Sequence, residues 1–517
     1  MKTSHHVTAT ASIKLLAIVT TVALAVVVVV SMRRLAAAQE AKQKAGSRAA
    51  AKAAEFKSLE KELEQRWKGE GLPSLSVGVV RGGELVYAKS FGLADRRSGR
   101  AATPDTLYRI GSITKVFTTT LLAALRDRGV VGLDDPVAKH LPPEMKLPSD
   151  PTGAPAITLR HLATHSSGLP RLPNNLVAKA GDPYGGYSVQ LLYDGLAKTR
   201  LDSAPGTRES YSNLGAGLLG HALERAGGDS YESLIKKHIF EPLGMKHSTI
   251  TLSPDHRKLF ATGYREDATN REAVDWDLGC LAPAGAIASP ITDMAKFLAL
   301  QLQAGESDTA KAAGASRVPS AISASTLAEM HTPQKLADGS TMQVGLGWVV
   351  QPFEHGGSVI WHNGGMEGFH SYLGFSPKHK MGVIVLTNSG KDIDALGAWL
   401  LSEVVQPSGG KPSREADPAL RNIAESLSKH FVANPSDSIA ELFHEQFLVA
   451  VPVTQIKPLF ADIFRQYGRC EGVEVVAGDK PRAGTIRFKF AKNKTVRGQI
   501  ELDAGNPPKI VSLLMRP

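Results

Sequence analysis

Ser112-Ile113-Thr114-Lys115 sets a hydroxyl and an amine three residues apart, a separation that brings both to one face of a helix. A serine hydroxyl is a poor nucleophile near neutral pH. It needs an adjacent base and hydrogen-bond donors for the oxyanion that its attack creates. Spacing alone does not single this pair out, because Ser58 and Lys61, Ser233 and Lys236, Ser408 and Lys411, and Ser426 and Lys429 share it. Three further features do. Gly111 precedes Ser112 at an expected helix start, where free backbone N–H groups can bind an anion. Tyr211-Ser212-Asn213, after Pro205-Gly206, is the only Tyr-x-Asn in the chain. His362-Asn363-Gly364-Gly365 ends a strand pattern, and its glycines allow a substrate close to the backbone. His355-Gly356-Gly357 has a similar pattern and reads as a turn between two strands.

The elements that must position these residues follow from patterning. Leu75–Val80 and Glu84–Tyr87 read as strands around Arg81-Gly82-Gly83. A helix is expected from Ser112 to Arg128, ending at Gly129, and others over Gly215–Ala226 and Ile291–Leu302. Prolines 136, 142, 143, 151 and 155 mark irregular chain. Strands return at Gly345–Gln351, Ser358–His362, Ser371–Phe375 and Gly382–Asn388. Strands at both ends of a helical middle imply an α+β fold: an antiparallel sheet from both chain ends, flanked by helices, with an inserted helical lobe. This domain is expected at 57–405, followed by a linker at 406–417 rich in Pro, Gly and Ser. Residues 418–517 read as three amphipathic helices and then strands Thr485–Phe490, Val496–Leu502 and Ile510–Met515, a small α+β domain.

The 517 residues are 42% hydrophobic and 21% charged, with a formal net charge of +10. The balance is globular. No basic run is interleaved with aromatics, so no nucleic-acid partner is expected. Two cysteines, Cys280 and Cys470, exclude a disulfide scaffold and a paired thiolate zinc site, and are expected to be small buried side chains. His161 and His165 stand four apart but lack the glutamate of a metallohydrolase helix. No metal and no cofactor is expected. Leu15–Met32 is apolar, preceded by Lys2 and Lys14 and followed by Arg33 and Arg34. Residues 1–38 therefore read as a signal peptide or a membrane anchor, and 39–56 as a charged helical stalk. Downstream cations alone would favour a cytoplasmic body. Function favours export, with the body periplasmic or membrane-anchored.

Over Leu72–Asn388 the chain resembles the serine beta-lactamase and penicillin-binding protein superfamily, in its class C-like branch of DD-peptidases, esterases and D-aminopeptidases. The blocks that carry the resemblance are DTLYRIGSITKVFT from Asp105, ITLRHLATHSSGLP from Ile157, SYSNLGAGLLG from Ser210, PAGAIASPITDMAKF from Pro283 and HNGGMEGFHSYLGFSP from His362. The resemblance implies an acyl-enzyme on Ser112, with Lys115 holding the proton network and Tyr211 as general base. Asn213, His362 and Gly364 would bind substrate, and the backbone N–H groups of Ser112 and Gly365 would form the oxyanion hole. Class C beta-lactamases carry Lys where His362 stands, so a permanent cation is replaced by a group that titrates near neutrality. The implied substrate is a small molecule or peptide, with cell-wall peptide as one candidate. Esterase activity and a penicillin-recognising sensor with little turnover are the alternatives. Residues 418–517 resemble cone-shaped, steroid-isomerase-like accessory domains.

Overall fold

The computed structural model describes residues 56–148, 155–179, 181–266, 271–305, 322–405, 417–477, 482–491 and 494–516. The apolar segment Leu15–Met32, the stalk through residue 55 and linker residues 406–416 lie outside them. Among the described residues no helix is long and apolar enough to cross a membrane.

Two compact units divide the chain, residues 1–71 and 72–517. The first contributes helix α1 (Lys57–Glu70), closed by Gly71 at φ 66°. Glu62 pairs with Arg66, and Glu64 with Lys68, one turn apart. Such exposed pairs add only tenths of a kcal/mol each.

The second unit is built on seven antiparallel strands: β1 (Ser74–Arg81), β2 (Glu84–Asp95), β3 (Arg100–Ala101), β6 (Val349–Pro352), β7 (Ser358–Met366), β8 (Phe369–Ser376) and β9 (Met381–Thr387). They form one sheet in the order β3-β2-β1-β9-β8-β7-β6. A two-stranded ribbon joins β4 (Tyr108–Arg109) to β5 (Ala288–Ser289). The early strands and the late strands of this sheet thus meet at the β1–β9 pair, and the fold is α+β. β8 and β9 are buried along their whole length.

Register assigns the two faces of this sheet. Gly78 on β1 pairs with Ile384 on β9, which pairs with Leu373 on β8, which pairs with His362 on β7. These side chains share a face. Helix α4 (Ile291–Gln301) packs there so closely that a Cβ on Gly78 would stand 2.7 Å from Ile291 Cγ2. Tyr372 lies one residue along and so on the other face, under helix α5 (Asp394–Val405). A Cβ on Gly397 of α5 would stand 2.2 Å from the Tyr372 ring. His362 and Asn363, though adjacent, therefore serve opposite faces.

Helix α2 (Thr114–Asp127) is buried from Thr114 through Leu125. Phe117 stacks on Phe297 at 3.8 Å between ring centroids and meets Phe240 edge-on at 5.9 Å. Its threonines survive burial because each hydroxyl finds a partner. Thr118, Thr119 and Thr120 donate to Pro283 O, Leu346 O and Val116 O at 2.8, 3.0 and 2.6 Å. Thr114 Oγ1 accepts from Ile287 N–H at 3.1 Å.

Beyond residue 417 lie helix α6 (Pro418–Ser428), helix α7 (Val453–Tyr467) and the strands β10 (Cys470–Ala477), β11 (Ala483–Phe490), β12 (Lys494–Leu502) and β13 (Ile510–Arg516). The four strands form a sheet in chain order. With the helices it encloses a second apolar cluster centred on Phe431, Phe460, Phe488 and Phe490.

Several elements differ from the pattern-based expectation. The segment from Gly345 turns before β6 begins at Val349: Gly347 has φ 79°, and a Cβ on Gly345 would meet Met330 O at 2.2 Å. Strand β10 is absent from the pattern-based set because Gly472 and two glutamates break its alternation, and the ladder shifts register between Cys470 and Gly472. Both cysteines are free and half-buried rather than fully buried.

Candidate active site

The nucleophile turn is made by one glycine. Gly111 has φ 50°, a left-handed conformation that disfavours a side chain. It opens a 3-10 turn over Gly111–Ile113, so α2 begins at Thr114 rather than at Ser112. Ser112 is half-exposed, whereas Lys115, one turn on, is buried. Lys115 Nζ lies 3.0 Å from Ser112 Oγ and donates to Ala284 O at 2.6 Å. Burial, assisted by the charge of Arg171, holds the Lys115 ammonium well below the ordinary 10.5. A buried amine without a carboxylate partner gives up its proton readily.

Tyr211 also hydrogen-bonds Ser112. Lys115 Nζ and Arg171 Cζ lie 4.8 and 5.2 Å from the Tyr211 ring centroid. Desolvation nevertheless lifts the phenol to about 12, against the lowering effects of the Ser112 bond and Arg171. The resting phenol therefore keeps its proton.

The loop carrying Tyr211 is pinned by His165, itself at φ 57°. His165 O accepts from Ser210 N–H at 2.7 Å, and His165 Nδ1 accepts from Ser212 N–H at 3.2 Å. Its ring lies 4.4 Å from that of Tyr211. Burial first, then the charges of Lys115, His362 and Arg171, keep His165 neutral, as its acceptor role at Nδ1 requires. Ser212 caps helix α3 (Asn213–Gly227) and donates to Pro170 O at 2.7 Å. His161 acts elsewhere and completes a capping box with Thr158.

Strand β7 closes the third side. A Cβ on Gly111 would lie 2.9 Å from Gly364 C and 3.0 Å from Gly365 N, and one on Gly364 would lie 2.0 Å from Ile110 O. Only glycines permit this approach. Gly364→Ala is expected to cost about 1–3 kcal/mol or more by overpacking, read as a lower denaturant midpoint. Gly365→Ala should leave that midpoint nearly unchanged, since its nearest neighbour would be His370 at 3.6 Å. Equal midpoints for the two variants would refute the packing argument.

His362 is buried, and its Nδ1 donates to Asn363 O at 2.5 Å, leaving Nε2 as an acceptor. Desolvation, helped by Lys115, pushes it down to about 4, so it is neutral at pH 7. Its ring centroid lies 6.4 Å from that of Tyr211. Asn213 hydrogen-bonds Tyr184, and its Oδ1 is buried with no partner among the described residues.

Ser112, Lys115, Tyr211, His362, Gly364 and Gly365 thus lie around one another, while the bonded partner of Asn213 is Tyr184. The competing Ser-Lys pairs show nothing similar. Ser426 donates to Asn422 O at 2.8 Å within its own helix, and Ser408 lies outside the described residues. Sequence patterns do not single out His165, Arg171 and Tyr184 as parts of this site. His165 stands out in the sequence only as half of a metal-like pair, and its residence in the ITLRHLATHSSGLP block is the signal that could find it. Arg171 immediately follows that block.

A family model described as Beta-lactamase matches residues 59–406. The D-alanyl-D-alanine-carboxypeptidase/endopeptidase AmpH of Escherichia coli K12 is 31% identical over 353 residues, 66% of this chain and 87% of that protein. A class C beta-lactamase from Rhodobacter sphaeroides superposes with TM-score 0.54 at 27% identity, covering 68% of this chain and 98% of its own. An octameric penicillin-binding protein homologue from Pyrococcus abyssi reaches TM-score 0.56 over 87% of this chain and 91% of its own. At 24% identity it speaks to the fold alone.

Proposed function

The chain belongs to the beta-lactamase family and is a serine hydrolase of that superfamily, and from this premise we propose that it is a peptidase that forms its acyl-enzyme on Ser112, with D-Ala-D-Ala-type cell-wall peptides as substrates. The observation that carries the peptide reading is the unpaired acceptor Asn213 Oδ1. A buried acceptor costs about 1–3 kcal/mol while it lacks a donor, and a peptide substrate brings an N–H that a simple ester does not.

In this reading Lys115, as neutral amine, takes the Ser112 proton while Oγ bonds to the acyl carbon. Its bond to Ala284 O leaves a lone pair for Ser112. The general-base role expected of Tyr211 moves to Lys115, because burial raises the phenol and lowers the amine. Tyr211 gives its own phenolic proton to the leaving amine and is reprotonated by the Lys115 ammonium, whose Nζ lies 4.8 Å from its ring centroid. Deacylation runs the same path in reverse with water. The N–H groups of Ser112 and Gly365 face the developing oxyanion. Neutral His362 offers Nε2 to the substrate in place of a fixed cation. The AmpH relative, named as a carboxypeptidase and endopeptidase, supports this substrate class.

We also propose the division into a hydrolase domain at 57–405 and an accessory domain at 418–517, and export directed by the apolar Leu15–Met32 segment. The separate apolar cluster of the C-terminal residues supports the division.

The test is a panel of a D-Ala-D-Ala peptide, a short-chain p-nitrophenyl ester and a chromogenic cephalosporin, followed for turnover and for added protein mass. Peptide hydrolysis, reduced roughly a hundredfold in Tyr211→Phe, is the expected result. Turnover of the ester alone would remove the peptidase reading. Added mass without turnover of any substrate would make the protein a sensor.

A further inference from the structure

The face of the sheet opposite Ser112 carries a second cluster. Asn363, adjacent to His362 on β7, donates from Nδ2 to Asp394 Oδ2 at 2.5 Å. Asp394 begins α5, and its N–H donates to Asp392 Oδ1 at 2.7 Å. His370 on β8, paired in register with Gly365, is 7% exposed. Its Nδ1 has no hydrogen-bond partner among the described residues, and neither does the buried Asp394 Oδ1. These two atoms lie 3.9 Å apart. One ligand atom from each of His370, Asp392 and Asp394 falls within 4.8 Å of the others.

A helix start explains part of this arrangement, since Asp392 accepts the first free N–H of α5. It does not explain a buried imidazole nitrogen and a buried carboxylate oxygen turned toward each other without bonding. The charge of Glu266 reaches His370. The buried Nδ1 and Oδ1 each forgo a hydrogen bond, a cost that a shared ligand would relieve.

We propose that His370, Asp392 and Asp394 form a binding site for a divalent transition-metal ion, with Zn2+ the fitting choice. One imidazole and two carboxylates are a borderline donor set that suits Zn2+ better than Mg2+ or Ca2+, which prefer all-oxygen shells. Ligand bonds of about 2.0–2.2 Å require the three donor atoms to draw slightly closer, a side-chain adjustment. The fourth position stays open to water. This site is separate from Ser112, and Asn363 is the residue through which its occupancy reaches β7.

The test uses the untagged full chain, stripped with a chelator and titrated with Zn2+ in a calorimeter, with Co2+ visible absorbance as a second readout. One saturable equivalent is expected, with no competition from Mg2+ or Ca2+. Asp392→Asn keeps an acceptor for the Asp394 N–H and so keeps the helix start. It should weaken binding roughly tenfold to a hundredfold. His370→Gln should abolish the Co2+ absorbance. Absence of saturable binding, or binding unchanged in both variants, would overturn the proposal.

Discussion

Ser112→Ala is expected to lower kcat/KM by roughly ten-thousand-fold or more, on every substrate the wild-type protein turns over. The magnitude follows from what the hydroxyl does. It provides the covalent route, and Lys115 and Tyr211 both bond to it. Removing the atom that forms the bond closes that route, whereas removing a proton-transfer partner only slows it. The fold should tolerate the change, because Ser112 is half-exposed and the turn is set by Gly111, not by the serine side chain. An unchanged thermal midpoint beside lost turnover is the expected pair of results. Retained turnover would mean that another residue carries the chemistry.

Lys115→Met should lower the acylation rate by roughly a hundred- to ten-thousand-fold. Methionine fills much of the same buried space without an amine. The variant removes the amine 3.0 Å from Ser112 Oγ and leaves Ala284 O without its donor. The pH profile separates chemistry from packing. In the wild type, kcat/KM should rise with pH as Lys115 loses its proton, and fall as pH drops below that point. Burial, then Arg171, places this limb well below 10.5. The methionine variant should lose the limb altogether. If the limb persists unchanged in Lys115→Met, another group is the base.

Much of this site is legible in the sequence, and the reasons differ by residue. Ser112 and Lys115 are marked by spacing and a preceding glycine, and both belong to one local turn of chain. Tyr211 and His362 lie far along the chain, so composition and periodicity cannot join them. Longer blocks in order can, because they contain the nucleophile turn, the Tyr211 loop and strand β7, which packs against that turn. Proton positions are not legible. The shift of the Tyr211 phenol to about 12 is set first by burial, and burial depends on tertiary packing that a local motif does not reveal. His165 is hidden for a similar reason: its role lies in bonds to Ser210 and Ser212, more than forty residues away in sequence. The approach of His370 to Asp394 likewise exists only because β8 and the start of α5 meet on one face of the sheet.

In the fold, the strands at both chain ends and the α+β class follow from alternation and from the helical middle. Strand β10 and the turned segment before β6 do not. In both places glycine interrupts the period that reveals a strand, once by a register shift at Gly472 and once by a left-handed turn at Gly347.

The central claim, that acyl transfer passes through Ser112, is tested most directly by peptide mapping of the protein trapped with an acylating penicillin or ester. Trypsin cleavage after Arg109 and Lys115 releases Ile110–Lys115. The account predicts that this peptide gains the mass of the acyl group in the wild-type protein and that Ser112→Ala gains none. Acyl mass on any other peptide, or equal labelling of Ser112→Ala, would contradict it.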